Sequence, residues 1–407
     1  MKACIFTLGC KMNEVESMSL GAGLEKLGYE VTDEIGYADL YLLNTCAVTK
    51  EAEKKSRQAV ARLRKFNPSA PVIVFGCASS KSPAAFSEKE GVIFVAGAQG
   101  KDKVLSLLGE HGLYPDSDER IFSELPAPKQ FKTRAFIRIQ DGCNNFCSYC
   151  IIPYLRGRSR SRSAQAILDE AKSLSAKEIV LTGIDISSYQ DGEIDLGKLL
   201  FMMRDLPVRV RLGSLEAHVI TRAFLENIKA AGNVMPHFHL SLQSGSDHVL
   251  KSMNRRYTRK EYLEKCALIY EYFENAAITT DIIVGFAGET EEDFQDSLSI
   301  IKEAGFARVH VFPYSPREGT VAFKRADTPA EIKKERTAKL LAAADEAEKR
   351  FLEKQLGKTC EVLFEEDGGY TENYIRVHAK GAREGEVKQV KIIKINDHGV
   401  DAEIVEE

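Results

Sequence analysis

No apolar run in this chain approaches the roughly 18–20 residues that a bilayer-spanning helix needs. Met1–Cys10 carries only a short apolar stretch before Lys11-Met12-Asn13-Glu14, without the hydrophobic segment of a secretory leader. The expectation is a cytoplasmic chain with no membrane association. Neither charge is in strong excess: the formal net charge is −4 over 407 residues, so any nucleic-acid site has to be a local basic patch. The nine cysteines are an odd number and widely spread, unlike a disulfide framework. In a reducing compartment clustered cysteines favour metal instead. What is present is a globular composition, 44% hydrophobic and 29% charged, with length for two or three domains.

The densest chemistry lies in Cys143-Asn144-Asn145-Phe146-Cys147-Ser148-Tyr149-Cys150, a C-x3-C-x2-C run. Three thiolates this close cannot all pair as disulfides. They can hold three irons of a cubane iron–sulfur cluster and leave the fourth open to a small molecule. Zinc or three unrelated buried thiols is the competing reading. Zinc usually takes four ligands in two pairs, and no second CxxC or HxxxH pair lies nearby. With an aromatic residue before the last cysteine, the run resembles the radical S-adenosylmethionine enzymes.

The first hundred residues alternate strand and helix. Cys4–Leu8, Leu40–Leu43 and Val72–Phe75 read as strands, followed by helical spacing such as Val15, Met18, Ala22, Leu24 and Leu27. The alternation implies a parallel α/β sheet, flavodoxin- or Rossmann-like. Cys10, Cys46 and Cys77 each fall just after a different strand, on the edge where such sheets bind ligands. They read as ligands of a second cluster; the alternative is that each is a small buried hydrophobe. Cys4, Cys266 and Cys360 are assigned to packing.

Tyr114–Phe131, with Pro115, Pro126 and Pro128, reads as a linker. Six strand–helix units follow: Phe136–Gln140, Glu178–Leu181, Val208–Leu212, His237–Leu242, Ile278–Val284 and Arg308–Phe312. They predict a partial (β/α)6 barrel with its site at the carboxyl ends of the strands. Thr182-Gly183, Ser214, Glu216, Gln243, Gly285 and Tyr314 fall there. Glycine admits close backbone approach to a ligand, and Glu216 and Gln243 offer polar partners to a cofactor. His237 and His239 share a strand face and read as structural hydrogen-bonding groups.

Arg156, Arg158, Arg160 and Arg162 alternate in RGRSRSRS, and Arg255 and Arg256 follow strand four. They read either as a solvated charge run or as a phosphate-binding surface for RNA. Ala330–Leu356 reads as a charged helical spacer. Cys360–Phe364, Tyr374–Val377, Val387–Ile395 and Ala402–Val405 predict a small antiparallel β-barrel, a shape that often binds RNA.

In order, the segments TLGCKMNEVES, LNTCAVT, QDGCNNFCSYCIIPYLRGRSRSRS, PHFHLSLQSGSDHVLKSMNRRYT and TTDIIVGFAGET resemble the methylthiotransferases across essentially the whole chain. The terminal part is similar to a TRAM domain. The segments look most like the branch acting on tRNA that bears N6-threonylcarbamoyladenosine beside the anticodon. Sister branches act on isopentenyl-adenosine in tRNA or on a ribosomal-protein aspartate. A third possibility is a non-catalytic iron–sulfur protein that binds RNA or senses redox state.

The resemblance implies two 4Fe-4S clusters, a catalytic one on Cys143, Cys147 and Cys150 and an auxiliary one on Cys10, Cys46 and Cys77. S-adenosylmethionine would sit on the open iron, with Tyr149 on its adenine and the seven strand-end residues around it. A deoxyadenosyl radical would take hydrogen from adenine C2, and the auxiliary cluster would deliver a methylated sulfur. The implied partners are the tRNA anticodon stem-loop, an electron donor such as flavodoxin or ferredoxin, and a sulfur source; the chain is expected to be a monomer. The expected division is residues 1–115, a linker at 116–132, the radical barrel at 133–345 and the RNA-binding barrel at 346–407. Two departures from the family stand out: Ala287 replaces a usual proline, and Ala78-Ser79-Ser80-Lys81 replaces a usual Tyr-Ala-Gln after Cys77.

Overall fold

The computed structural model describes residues 1–114, 116, 121–128 and 133–405. Part of the expected linker at 116–132 therefore lies outside the described residues. The first sheet has six parallel strands: β1 Lys2–Thr7, β2 Glu30–Thr32, β3 Leu40–Thr45, β4 Val72–Gly76, β5 Val92–Ala96 and β6 Gly112–Tyr114. Their order is β2-β1-β3-β4-β5-β6. Every residue of β3 and β4 is buried, as expected of central strands covered on both faces. Helix α1, Lys11–Lys26, follows β1, and α2, Lys50–Arg64, follows β3. Thr49 starts α2 by accepting the Ala52 N–H at 3.0 Å. The winding reverses between β1 and β3, the point where open parallel sheets bind ligands.

Six parallel strands then form the barrel: Arg134–Arg138, Glu178–Thr182, Arg209–Leu212, His237–His239, Ala277–Val284 and Arg308–Pro313. They make two three-stranded sheets, joined by bridges Val210–Val234 and Leu215–Leu240. Period-two alternation sorts the side chains. Ile278, Ile282 and Val284 enter the main core, while Thr279 and its neighbours His237 and His239 line the lumen. Helix Glu291–Ala304 begins with the expected capping box of Thr290 and Asp293.

Helix Ala330–Glu353 is no spacer. Leu340, Ala344 and Ala347 join the barrel core, and Leu352 joins the core of the terminal domain. The expected division at 345/346 falls inside this helix. The terminal domain is a closed barrel of five strands, one more than expected. The added strand is Gly368–Thr371. Glycine is needed at 369 because a side chain there would meet Val362 Cγ1 at 2.4 Å.

This small barrel caps the amino end of the lumen. Arg209 pairs with Glu361 at 2.6 Å, and Arg211 donates to the Glu372 carbonyl at 3.0 Å. The Tyr374 ring lies 4.8 Å from His237 and 4.5 Å from the Arg211 guanidinium.

Candidate active site

Cys10, Cys46 and Cys77 follow β1, β3 and β4, which are neighbours in the sheet. Several contacts draw the three strand ends together. The Asn13 amide donates to the carbonyls of Leu8 (2.8 Å) and Thr45 (3.1 Å). Gly9 lies so close to β3 that a side chain on it would stand 3.1 Å from Cys46 Cβ. Thr45 Oγ1 donates to the Phe75 carbonyl at 2.8 Å and accepts the Ser79 N–H at 3.2 Å. Cys46 and Cys77 are buried and Cys10 is exposed. Burial pushes the Cys77 thiol up to about 11.

The second trio lies on the loop after the first barrel strand. Gln140–Asp141 pairs antiparallel with Arg160–Ser161 and closes that loop. The Met253–Arg255 segment clamps it. Ser148 N–H donates to the Met253 carbonyl at 2.9 Å. The Asn254 amide, with φ at +62°, donates to the carbonyls of Asn145 and Phe146. Arg255 donates to Cys147 Sγ at 3.2 Å and pairs with Glu216 at 2.5 Å. Burial pushes the Cys143 and Cys150 thiols up to about 12. Thiolates here therefore need added positive charge, as bound metal supplies.

Asp185 completes this rim, and the sequence reading missed it. It accepts from Asn145 Nδ2 at 3.0 Å and lies 3.9 Å from Cys143 Sγ. Its other oxygen is buried without a partner. Burial raises both Asp185 and Glu216 above the usual carboxylate range. The available signal was a carboxylate three residues beyond Thr182, at the same strand end. Tyr149 packs edge-on to Phe286 (6.3 Å), which packs on Tyr314 (5.0 Å). Tyr314 Oη is also buried without a partner. Three thiols free of disulfides, with orphaned polar atoms beside them, suit a cluster and a polar organic cofactor.

Other expected positions fare differently. Thr182 is buried, Ser214 exposed and Gln243 half-buried, and Gln243 holds φ at +71°, a costly conformation for a residue with a side chain. Gly183 and Gly285 make room for protein rather than ligand. A side chain at Gly183 would meet the Gln140 carbonyl at 2.8 Å, and one at Gly285 would meet Lys333 Cγ at 2.5 Å.

The arginine surface is corrected most. Arg156 is fully buried. It donates to Cys77 Sγ (3.4 Å), Asn13 Oδ1 (2.7 Å), Glu16 (2.8 and 3.1 Å) and Asp141 (3.1 Å). Arg160 is buried on Asp141 at 2.9 Å, and Lys101 is buried between Glu16 and Asp141. Arg162 pairs with Glu124 and Glu170, and Arg255 belongs to the cysteine loop. Only Arg158 and Arg256 of the six are exposed. The Arg156 charge opposes the burial that raises Cys77. The buried group holds four cations, Arg138 included at 4.0 Å from Glu16, against two carboxylates. It also ties the two trios together, since Ile151 and Leu155 pack in the first domain's core and lead directly into Arg156.

Two family models match the chain: the Radical SAM superfamily over residues 137–301 and Uncharacterized protein family UPF0004 over residues 2–97. The threonylcarbamoyladenosine tRNA methylthiotransferase MtaB of Bacillus subtilis is 37% identical, over 95% of this chain and 93% of its own. That of Chlamydia pneumoniae is 38% identical, over 89% and 86%. The tRNA-2-methylthio-N(6)-dimethylallyladenosine synthase of Bacillus subtilis is 35% identical, over 100% and 86%. Among solved structures, the radical S-adenosylmethionine methyltransferase TsrM from Kitasatospora setae, with cobalamin and a [4Fe-4S] cluster bound, aligns over 84% of this chain and 90% of its own. Its TM-score is 0.61 at 13% identity, a likeness of fold.

Proposed function

We propose, because this chain belongs to the radical S-adenosylmethionine tRNA methylthiotransferases, that it adds a methylthio group to C2 of N6-threonylcarbamoyladenosine beside the anticodon. The observation that carries this reading is the pair of cysteine trios joined through one buried charge network at Arg156. Cys143, Cys147 and Cys150 would hold the cluster that binds S-adenosylmethionine, and Cys10, Cys46 and Cys77 a second 4Fe-4S cluster. Bound there, these groups supply one-electron chemistry able to take hydrogen from an unreactive C–H bond.

The chain's own residues do the positioning. Arg255 holds the Cys147 sulfur and keeps Glu216 turned to the rim. Asp185 and Glu216 offer acceptors for an ammonium group. Tyr149, Phe286 and Tyr314 form an apolar wall suited to an adenine, with Thr182, Ser214 and Gln243 at the surrounding strand ends. Exposed Arg158 and Arg256, with Lys391 and Lys394 on the terminal barrel, would meet the phosphates of the anticodon stem-loop. An electron donor of the flavodoxin or ferredoxin kind and a sulfur source complete the reaction of a monomeric enzyme. We divide the chain at residues 1–115, 116–132, 133–345 and 346–407, with the helix Ala330–Glu353 shared by the last two.

The second reading, isopentenyl-adenosine as substrate, is favoured by the dimethylallyl relative that aligns with the whole chain. One experiment separates them. The anaerobically reconstituted protein is given S-adenosylmethionine, reductant and tRNA carrying either modified adenosine, and nucleosides are read by mass spectrometry. The expected result is a methylthio gain on threonylcarbamoyladenosine; a gain only on isopentenyl-adenosine would overturn it.

A further inference from the structure

Three strands of the barrel bring together donors that the reaction above leaves unused. Register pairs His239 with Thr279 and Asp281 with His310, so these side chains share the lumen face. His239 Nε2 lies 3.3 Å from Asp281 Oδ2. One donor atom from each of His239, Asp281 and His310 lies within 4.8 Å of the others. Ligands about 2.0–2.2 Å from one ion stand roughly 3.0–3.6 Å apart, so the pair is already spaced for coordination. His310 is exposed and can turn to close the set.

The surroundings orient these donors. His239 Nδ1 lies 3.0 Å from Thr279 Oγ1, and His237 Nε2 lies 3.2 Å from the same oxygen. Without an ion, His239 Nε2–H donates to Asp281; a bound cation would move the proton to Nδ1, where Thr279 Oγ1 accepts it, and leave the Nε2 lone pair for the ion. Metal-binding histidines are commonly anchored this way through their second nitrogen. A hydrogen-bonded histidine–aspartate pair alone does not call for His310 beside it.

We propose that His239, Asp281 and His310 bind a divalent transition-metal ion, of the zinc or ferrous type, in the lumen of the barrel. Two imidazoles and one carboxylate on one side of an ion leave positions open opposite. The adjoining cavity, about 760 Å³ and lined by His239, His310, Ser214, Arg308 and Tyr374, lets water or an oxygen donor of a bound molecule fill them. The site uses none of the six cluster cysteines.

The test uses the full-length holoenzyme with its cysteines already loaded with iron. It is dialysed against buffered zinc, and zinc and iron per chain are measured together. Roughly one zinc per chain is expected, with X-ray absorption fitted by nitrogen and oxygen at about 2.0–2.2 Å. His310→Ala, at an exposed position, and Asp281→Asn should each weaken zinc binding at least about ten-fold while iron stays constant. Absence of zinc, zinc retained in both variants, or sulfur scatterers at about 2.3 Å would each overturn the assignment.

Discussion

Replacing Arg156 by glutamine separates a structural keystone from a phosphate contact. The guanidinium satisfies Cys77, Asn13, Glu16 and Asp141 at once in a fully buried position. Removing one partner of a buried ion pair typically costs about 3–5 kcal/mol. Lys101 still serves both carboxylates, and Arg160 serves Asp141, so the lower end, about 3 kcal/mol, is expected. At about 2–4 °C per kcal/mol for a unit of this size, Tm falls by about 6–12 °C. The chain has no tryptophan, so far-ultraviolet circular dichroism is the suitable readout. Burial would raise Glu16 and Asp141, but Arg156 and Lys101, with Arg160 at Asp141, hold both below the usual carboxylate range. A lowered folded pKa gives stability that is present above about pH 4 and lost as pH falls further. The gap between wild type and variant should therefore narrow in acid. The salt dependence of tRNA binding should not change. If Arg156 instead touches phosphate, Tm stays put and the salt slope drops by about 0.9, which would refute the reasoning. Exposed Arg158→Gln is the converse control.

Three further outcomes are expected. Gly76→Ala forces a side chain at φ +108° to within 2.5 Å of Asn44 Oδ1 and 2.7 Å of the Thr45 carbonyl; iron content should fall, whereas Gly232→Ala, at φ +76° with nothing within 4 Å, should cost only about 1 kcal/mol and leave iron unchanged. Burial works against the Asp293 carboxylate, yet hydrogen bonds from Ser246, Thr290 and His248 hold it at about 2. Asp293→Asn should cost about 1–2 kcal/mol at neutral pH by analogy with lost caps, and denaturant melts should show that difference fading as pH falls from about 4 toward 2. Tyr374→Ala removes the rings' stack with Tyr370 and the contact with Arg211; a loss of about 1–2 kcal/mol should appear as faster proteolysis between the two barrels.

The fold was legible because it is written in local periods. Strand–helix alternation placed Cys10, Cys46 and Cys77 at one sheet edge, and the topology then made β1, β3 and β4 neighbours. The six barrel strands were readable for the same reason. What local pattern cannot carry is the identity of a distant partner. Alternate arginines form one face only if the backbone is extended throughout. Here helix Ile152–Leu155 ends at Arg156, and Gly157 turns the chain at φ +74°, so the strip is broken before it begins. Glu16, far upstream on α1, and Asp141 then draw Arg156 inward. The helix Ala330–Glu353 misleads in the same way. Its many charges suggested a solvated spacer, yet Arg336 is buried and pairs with Glu289 just past the end of the fifth barrel strand. In each case the missing information is a long-range charge pair. A basic run near a candidate active site therefore speaks for nucleic acid only after buried carboxylates have claimed their share of it.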